Sequence, residues 1–310
     1  MIDLKGLKEL VEVRGCSGDE HLVKSYLLDY IHTHQSKWAV TPKIIEGKGF
    51  QDAIILVFGT PKTAVFAHLD TIGYMVAYDN KVVKNGGPKT VDGATLVGSD
   101  SQGEIETELM VIENEEGNDT LKVISGRTID RGTNLTFKPN YRESEEFVQS
   151  PYMDNRLGVW VALELCKTLK NGAIVFSTYE EQGGGSVGFL GKYLIDHHGV
   201  HQSLICDITW VTDGVQHGEG VAISMHDKGI PRRVFVNRIL QIALESGIPY
   251  QLEVESAGGS DGTMLQNTDL AMDWCFIGAP EDNVHSPDEK VHKTDIKSML
   301  NLYKELMEKL

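Results

Sequence analysis

The feature that most constrains the fold is an alternation of helix and strand patterns along residues 149–310. Apolar residues recur at helical spacing in four segments, namely 155–169, 186–197, 232–246 and 293–309. Short apolar runs of strand length lie between them, at 173–179, 203–212 and 271–277. This pattern is typical of a largely parallel sheet with helices on both faces, so we predict the α/β class. In that class ligands bind at the carboxyl ends of the strands, where we expect the chemistry.

The chain before residue 72 follows the same pattern, with helices predicted at 3–13 and 19–34 and strands at 53–59 and 63–70. Ser17 and the acidic pair after it are expected to start the second helix. Between 72 and 148 short Val-, Thr- and Ile-rich runs are separated by turn residues, which predicts hairpins. We therefore predict that 1–71 and 149–310 form the α/β domain and that 72–148 form an inserted β-rich domain.

Composition argues against several classes of function. The 45 acidic and 29 basic side chains give a net charge of -16, which opposes binding to nucleic acid and to anionic membranes. No apolar run reaches the roughly 20 residues of a membrane-spanning helix, and the start of the chain lacks a signal-peptide pattern. The four cysteines form no C-x-x-C pair, which indicates reduced core residues in a cytoplasmic protein.

The first candidate motif for chemistry is 67-AHLDTIG-73, at the end of an apolar run. His68 and Asp70 are two residues apart on a predicted strand, so they project from the same face. His68 suits a metal ligand, and Asp70 is expected to assist catalysis by fixing a histidine tautomer or orienting a neighbouring group. Alone, the motif equally suits an ordinary histidine at a strand end beside a turn.

The second motif, 152-YMDNRLG-158, places Asp154 directly before a predicted helix. A carboxylate there can cap the helix, but its two oxygens can also bridge two cations.

The third motif, 178-TYEEQGGGS-186, puts Glu180 and Glu181 between a buried strand and three glycines. The glycines permit a sharp turn that can bring both carboxylates to one cleft, where one binds metal and the other moves a proton. The alternative is a pair of solvated acids before a flexible loop.

The last two motifs are 204-LICDITWVTDGV-215 and 283-NVHSPDEKVH-292. Asp207 lies inside an apolar strand and needs a charged or metal partner there, because burying an unpaired carboxylate costs several kcal/mol. Asp213 is compatible with a turn, and His285 with a loop before a helix cap. His68, Asp154, Glu181, an aspartate of this strand and His285 together form a donor set that suits two zinc ions, with cobalt or manganese as alternatives.

The ordered motifs AHLDTIG, YMDNRLG, YEEQGG, CDIT and VHSPDE resemble those of the glutamyl-aminopeptidase-like family of dinuclear metallopeptidases. The resemblance covers essentially the whole chain and implies an α/β zinc-exopeptidase domain with an inserted β domain that helps to form homo-oligomers. It implies that Asp154 bridges the metals, that His68 and His285 are terminal ligands and that Glu181 and Asp207 are further ligands. Asp213 is the alternative to Asp207. Glu180 is implied to be the general base.

Two further consequences follow from the resemblance. The peptide bond between Asp154 and Asn155 is expected to be cis. The segment 257-AGGSDGTM-264 resembles a family element, so Gly259 and Asp261 are expected to contact substrate or to support the site, although a glycine turn with a helix cap is equally compatible.

The function expected from these features is a dinuclear aminopeptidase that removes amino-terminal residues from peptides. Two alternatives stay open. One is a catalytically silent scaffold or binding protein of the same fold, since the QGGGS segment after Glu181 departs from the family pattern. The other is a glycoside hydrolase that uses Glu180 and Glu181, although such an enzyme has no use for His68 or His285.

Overall fold

The structure is a computed structural model that describes residues 2–113 and 119–310. Its helices are α1 Lys5–Val11, α2 His21–His34, α3 Met153–Cys166, α4 Val187–His198, α5 Arg233–Ser246, α6 Asp261–Gln266 and α7 Lys293–Lys309. The strands up to Phe137 are β1 Lys43–Ile45, β2 Ile54–Phe58, β3 Thr63–His68, β4 Gly73–Val76, β5 Val82–Asn85, β6 Thr95–Asp100, β7 Gly103–Ile112, β8 Thr120–Ile124 and β9 Asn134–Phe137. The later strands are β10 Arg142–Glu143, β11 Phe147–Gln149, β12 Gly172–Ser177, β13 Gln202–Trp210, β14 Val221–His226, β15 Tyr250–Val254, β16 Asp273–Asp282 and β17 Lys290–His292.

An eleven-stranded mixed sheet forms the larger layer, in the order β1-β2-β12-β3-β13-β16-β17-β11-β10, with β14 and β15 branching from β16. The four central strands β12, β3, β13 and β16 run parallel. Every residue of β3 and β12 is buried, as expected for strands covered on both faces. The α/β class predicted from the sequence is therefore confirmed, although the parallel pairing is limited to the centre and to the β14–β15 pair.

Helices cover both faces of this sheet because each face is apolar. One core includes Leu27 of α2, Leu157 of α3, Ile239 of α5 and Leu302 of α7. The other core, on the opposite face, includes Leu190 of α4 and Leu265 beside Phe276. Each fully buried side chain of this kind contributes roughly 1.5–3 kcal/mol, so both layers are strongly held to the sheet. The carboxyl ends of the central strands are thereby fixed relative to one another.

A second sheet of six strands lies between Gly73 and Phe137 in the order β5-β4-β9-β6-β7-β8. All its pairings are antiparallel, and its apolar core includes Tyr74, Leu96 and Phe137. Strands β10 and β11, by contrast, pair with the larger sheet. The division into domains at 72 and 148 stays a prediction.

Several elements differ from the predicted ones. Strands β14 and β15 were not predicted, and β16 continues to Asp282 instead of ending at 277. Helix α2 starts at His21 without a side-chain cap, because the Ser17 hydroxyl donates instead to the Asp70 carboxylate at 2.7 Å. Within the described residues, none of the helices has the length and apolar character needed to cross a membrane.

Candidate metal centre

The carboxyl ends of the central parallel strands bring the predicted site residues together. His68 is the last residue of β3, Glu180 and Glu181 follow β12, and Asp207 lies within β13. Asp154 lies in the first turn of α3, and His285 follows β16. A contact between residues as far apart in the chain as 68 and 285 therefore depends on the order of the strands in the sheet.

Two groups of potential ligands share one carboxylate. His68, Asp154 and Asp207 form the first, and Asp154, Glu181 and His285 form the second, with the ligand atoms of each group within 4.8 Å of one another. His68 Nε2 lies 3.1 Å from Asp154 Oδ1 and 3.3 Å from Asp207 Oδ2. His285 Nε2 lies 3.3 Å from Asp154 Oδ2 and 3.3 Å from Glu181 Oε2. The two oxygens of Asp154 thus face different groups, as a bridging carboxylate requires.

Local backbone geometry aims Asp154 at both groups. The Asp154–Asn155 peptide bond is cis, which confirms the expectation from the sequence. Asp154 has φ −80° and ψ 107°, outside the helical region, and makes no side-chain cap of α3. Its carboxylate is therefore directed into the site and not toward the helix amides.

Glu289, which sequence reasoning missed, fixes the backbone on both sides of the second group. Its Oε2 accepts a hydrogen bond from the Asp154 amide at 3.2 Å, and its Oε1 accepts one from the His285 amide at 2.9 Å. Glu289 is fully buried, so these bonds are sheltered from water. The only signal in the sequence was its place in the VHSPDE motif.

Backbone carbonyl groups orient both histidines. Nδ1 of His68 donates to the Asp70 carbonyl at 3.0 Å, and Nδ1 of His285 donates to the Gly87 carbonyl at 3.1 Å. Each Nε2 is then left to bind a metal, the usual arrangement for a ligating histidine. A Cβ on Gly87 would lie 3.0 Å from His285 Nδ1, so the glycine leaves room for the ring. This segment, which follows β5 of the smaller sheet, was predicted only as a turn.

Asp70 supports the loop that carries the two glutamates. It is completely buried, and its carboxylate accepts the amides of Glu180 at 3.0 Å and Glu181 at 3.1 Å. It does not line the cavity beside the metal ligands. Burial opposes ionisation, but the hydrogen bonds from His68, Ser17 and Glu180 lower the pKa of Asp70. It therefore holds the turn in place as an anion and lies outside the cavity lining.

The turn after β12 brings Glu180 and Glu181 to one cavity, as predicted from the glycines. Tyr179 and Gly183 adopt positive φ on either side of it. Burial raises the pKa of Glu180 well above its usual range, and the carboxylates of Asp207 and Asp261 add to the rise. A carboxyl group whose pKa is raised by burial and by neighbouring carboxylates is typical of groups that carry protons in active sites.

The charges of the site favour cations. Burial raises the pKa of Glu181 well above its usual range, and Asp154 and Glu180 raise it further. Burial also raises the pKa of Asp207. Glu181 Oε1 is buried and, among the described residues, has no hydrogen-bond partner. Buried carboxylates so close together need a compensating charge, and the hard-to-borderline oxygen and nitrogen donors fit divalent metal ions.

A cavity of about 200 Å³ opens from these ligands and is lined by Asp154, Glu180, Glu181, Asp207, Ile208, Thr209, Trp210, Asp227, Glu253, Glu255, Ala257, Gly258, Gly259, Phe276 and His285. Gly259 lies at its surface, whereas Asp261 does not: it is buried and accepts a hydrogen bond from the Ser177 hydroxyl. The helix cap left open for this segment is made by Ser260. A larger cavity of about 730 Å³ lies at the amino ends of β3 and β12 and contains none of the predicted site residues.

The two aspartates proposed as alternative ligands, one in β13 and one after it, differ in their surroundings. Asp207 is buried beside His68, whereas Asp213 is exposed in the turn after the strand and belongs to neither ligand group.

Glu281 is a further buried acid that sequence reasoning missed, and both its oxygens lack partners among the described residues. The available signal in the sequence was that Glu281 follows shortly after the apolar run predicted as a strand. The four cysteines are buried free thiols, as predicted.

Comparison with known proteins agrees with this arrangement. Residues 97–302 match the family model of M42 glutamyl aminopeptidases. A putative aminopeptidase of Acetivibrio thermocellus is 31% identical over 170 residues, which span 50% of this chain and 49% of that protein. The lysyl aminopeptidase of Pyrococcus furiosus is 23% identical over 100% of this chain and 98% of its own length.

Among solved structures, the TET1 peptidase of Pyrococcus horikoshii, described as assembling into a tetrahedron or a large octahedral shell, has a similar fold. It superposes with a TM-score of 0.81 at 19% identity, covering 98% of each chain. The family model spans more than half of the residues and includes four of the five proposed ligands. The chain therefore belongs to the M42 glutamyl aminopeptidase family.

Proposed function

We propose that this protein is an aminopeptidase that uses two divalent metal ions to remove the amino-terminal residue of oligopeptides. The observation that carries the proposal is the sharing of Asp154 between two ligand groups. One oxygen of the Asp154 carboxylate faces His68 and the other faces His285, and a lone structural ion would need only one of these groups. The family assignment supports the same activity.

The proposed ligands are His68 and Asp207 for one ion and Glu181 and His285 for the other, with Asp154 common to both. Zinc suits the mixture of imidazole and carboxylate donors, and cobalt or manganese are alternatives. When bound, two such ions lower the pKa of a water molecule and polarise the carbonyl group of the scissile peptide.

Glu180 is the proposed general base. Its carboxylate lines the cavity beside the ligands, yet it belongs to neither ligand group, so it is free to accept a proton from the attacking water. The same group then gives the proton to the leaving amine. Asp70 positions Glu180 through its amide and does not touch the substrate. The surrounding carboxylates attract the positively charged amino terminus of a peptide, which favours cleavage of one residue at a time.

We further propose that the chain forms homo-oligomers through a domain at 72–148, by analogy with the assemblies described for the Pyrococcus horikoshii peptidase. The free cysteine thiols support a cytoplasmic location. No nucleic acid or membrane partner is proposed, given the net charge of -16.

The test combines metal analysis with a panel of aminoacyl p-nitroanilides and short peptides. We expect two ions per chain, hydrolysis of substrates with a free amino group, no hydrolysis of the same peptides after amino-terminal acetylation, and loss of activity on chelation. Inactivity on every free-amino substrate with two ions bound would instead favour a silent scaffold. Chelator-resistant hydrolysis of glycosides would favour the two-carboxylate alternative.

A further inference from the structure

The cavity extends beyond the ligand groups into a second region, here called the acidic pocket, lined by Trp210, Asp227, Glu253, Glu255, Gly258 and Phe276. Three of these residues are acids. Within the described part of the chain, none of the residues that line the cavity is a lysine or arginine. The acidic pocket is therefore rich in carboxyl groups beside the proposed reaction centre, and a nearby cation is Lys228, whose side chain lies next to Gly259.

Glu253 is the group in this pocket that lacks a full set of partners. It is only 3% exposed, and its Oε1 accepts a hydrogen bond from the Thr209 hydroxyl. Among the described residues, its Oε2 has no hydrogen-bond partner. Burial raises the pKa of Glu253, although the Thr209 and Ser224 hydroxyl groups beside it oppose the rise. A buried carboxylate oxygen left in this state is costly unless a donor reaches it.

The other acids of the pocket have different surroundings. Asp227 accepts hydrogen bonds from the Ser260 hydroxyl at 3.0 Å and from the Thr263 hydroxyl at 3.3 Å, and also from the Gly229 amide. Its oxygens are therefore occupied in holding the segment that begins α6. Glu255 is half-buried and lies at the cavity surface. Glu253 is thus the buried acid of the pocket that has one oxygen without a hydrogen-bond partner among the described residues.

A third metal ion is not the occupant these contacts favour. Among the described residues, the acids of the pocket do not form a group with ligand atoms within 4.8 Å of one another. A small ion would need several such oxygens at once. An ammonium or guanidinium group on a flexible stem needs only one or two, and it brings its own hydrogen-bond donors.

The distance from the metal ligands matches a long side chain. Thr209 follows Asp207 by two residues on β13, so both side chains lie on the same face, about 7 Å apart along the strand. Glu253, held by Thr209, therefore lies one extended side chain away from the proposed site of bond cleavage. Trp210 and Phe276 supply apolar walls for the methylene groups of such a side chain. A Cβ on Gly258 would lie 3.7 Å from the Trp210 ring, so the lack of a side chain at this position leaves space beside that ring.

We propose that the acidic pocket receives the side chain of the substrate's amino-terminal residue and selects lysine and arginine through Glu253. This inference rests on the proposed aminopeptidase function. Glu253 is a specificity-determining residue in it and takes no part in the chemical step. A neutral side chain would leave the buried carboxylate oxygen unpaired, and an acidic one would be repelled by it.

The test compares lysyl and norleucyl p-nitroanilides with the zinc-loaded protein, because norleucine keeps the four-carbon stem and lacks the ammonium group. We expect kcat/KM for the lysyl substrate to exceed that for the norleucyl substrate by about tenfold or more. In E253Q this ratio should fall to within about threefold of unity, since the variant keeps the shape of the side chain and removes its charge. E245Q removes an exposed acid on α5 that does not line the cavity, and it should leave the ratio unchanged.

The outcomes separate this inference from the proposed function. Hydrolysis of free-amino substrates without preference for lysine over norleucine, or an unchanged ratio in E253Q, would overturn the inference alone. No hydrolysis of any free-amino substrate with two ions bound would overturn the proposed function as well. If E253Q fails to fold, Thr209→Val decides instead: it removes the hydroxyl that holds Glu253, and it should also lower the ratio.

Discussion

Replacement of Glu289 by glutamine tests whether the metal centre depends on a residue that binds no metal. Each carboxylate oxygen of Glu289 accepts one backbone amide, from Asp154 and from His285. Glutamine keeps one acceptor and turns an NH2 group toward the other amide, so one buried hydrogen bond is lost and two donors face each other. Loss of such a supporting partner typically weakens metal affinity about 10- to 100-fold, or about 1.4–2.7 kcal/mol.

The assay is competitive titration of zinc against a chelator of known affinity, followed by activity at increasing zinc concentration. We expect weaker binding at the group that contains His285 and recovery of most activity at excess zinc, because E289Q leaves every proposed ligand in place. D288N is the matched control. It also removes one negative charge, but from an exposed side chain that pairs with Arg142. Zinc affinity of folded E289Q within about twofold of the wild type would refute the reasoning.

Three further predictions follow from the same geometry. Glu180→Gln should lower kcat about 10²- to 10⁴-fold with both ions still bound, and near-normal turnover would remove Glu180 from the role of base. Gly87→Ala should reduce zinc binding toward one ion per chain, because the new Cβ would lie 3.0 Å from His285 Nδ1; two tightly bound ions would contradict this. Glu20→Gln should stabilise the metal-free protein above pH 7. Burial, helped by Asp70, raises the pKa of Glu20 from 4.5 to about 7, so its ionisation costs folding free energy as the pH rises through that window. The gain, of order 3 kcal/mol in chemical denaturation, should vanish below pH 4.5, and a pH-independent difference would be inconsistent with it.

Local patterns in the sequence were sufficient for the main elements of the fold. The strands β3 and β12 follow from short continuous apolar runs, as expected where both faces of a sheet are covered, and the helices α3 and α7 follow from apolar residues at helical spacing. Strands β14 and β15 carry a weaker pattern. Exposed Leu252 and Val254 of β15 alternate with the buried Glu253, the reverse of the usual order, so no apolar-in alternation marks the strand.

The residues of the candidate metal centre could be predicted only in part from local sequence motifs. The motif order pointed to His68, Asp154, Glu181 and His285, but nothing local separates Asp207 from Asp213. The structure places Asp207 against His68 and leaves Asp213 in a solvent-exposed turn, because β13 ends at Trp210.

Tertiary structure alone decided which groups support the site and which face the substrate. Asp70 follows β3, yet it binds the amides that follow β12, and Glu289 joins two loops through its carboxylate. Glu253 becomes part of the cavity only because β15 pairs with β14, and β14 in turn pairs with the central strand β16. These contacts join residues far apart in the chain, and they depend on strand order and on burial that no local spacing encodes. The sequence determined which chemical groups were available, and the packing of the sheet determined which of them meet.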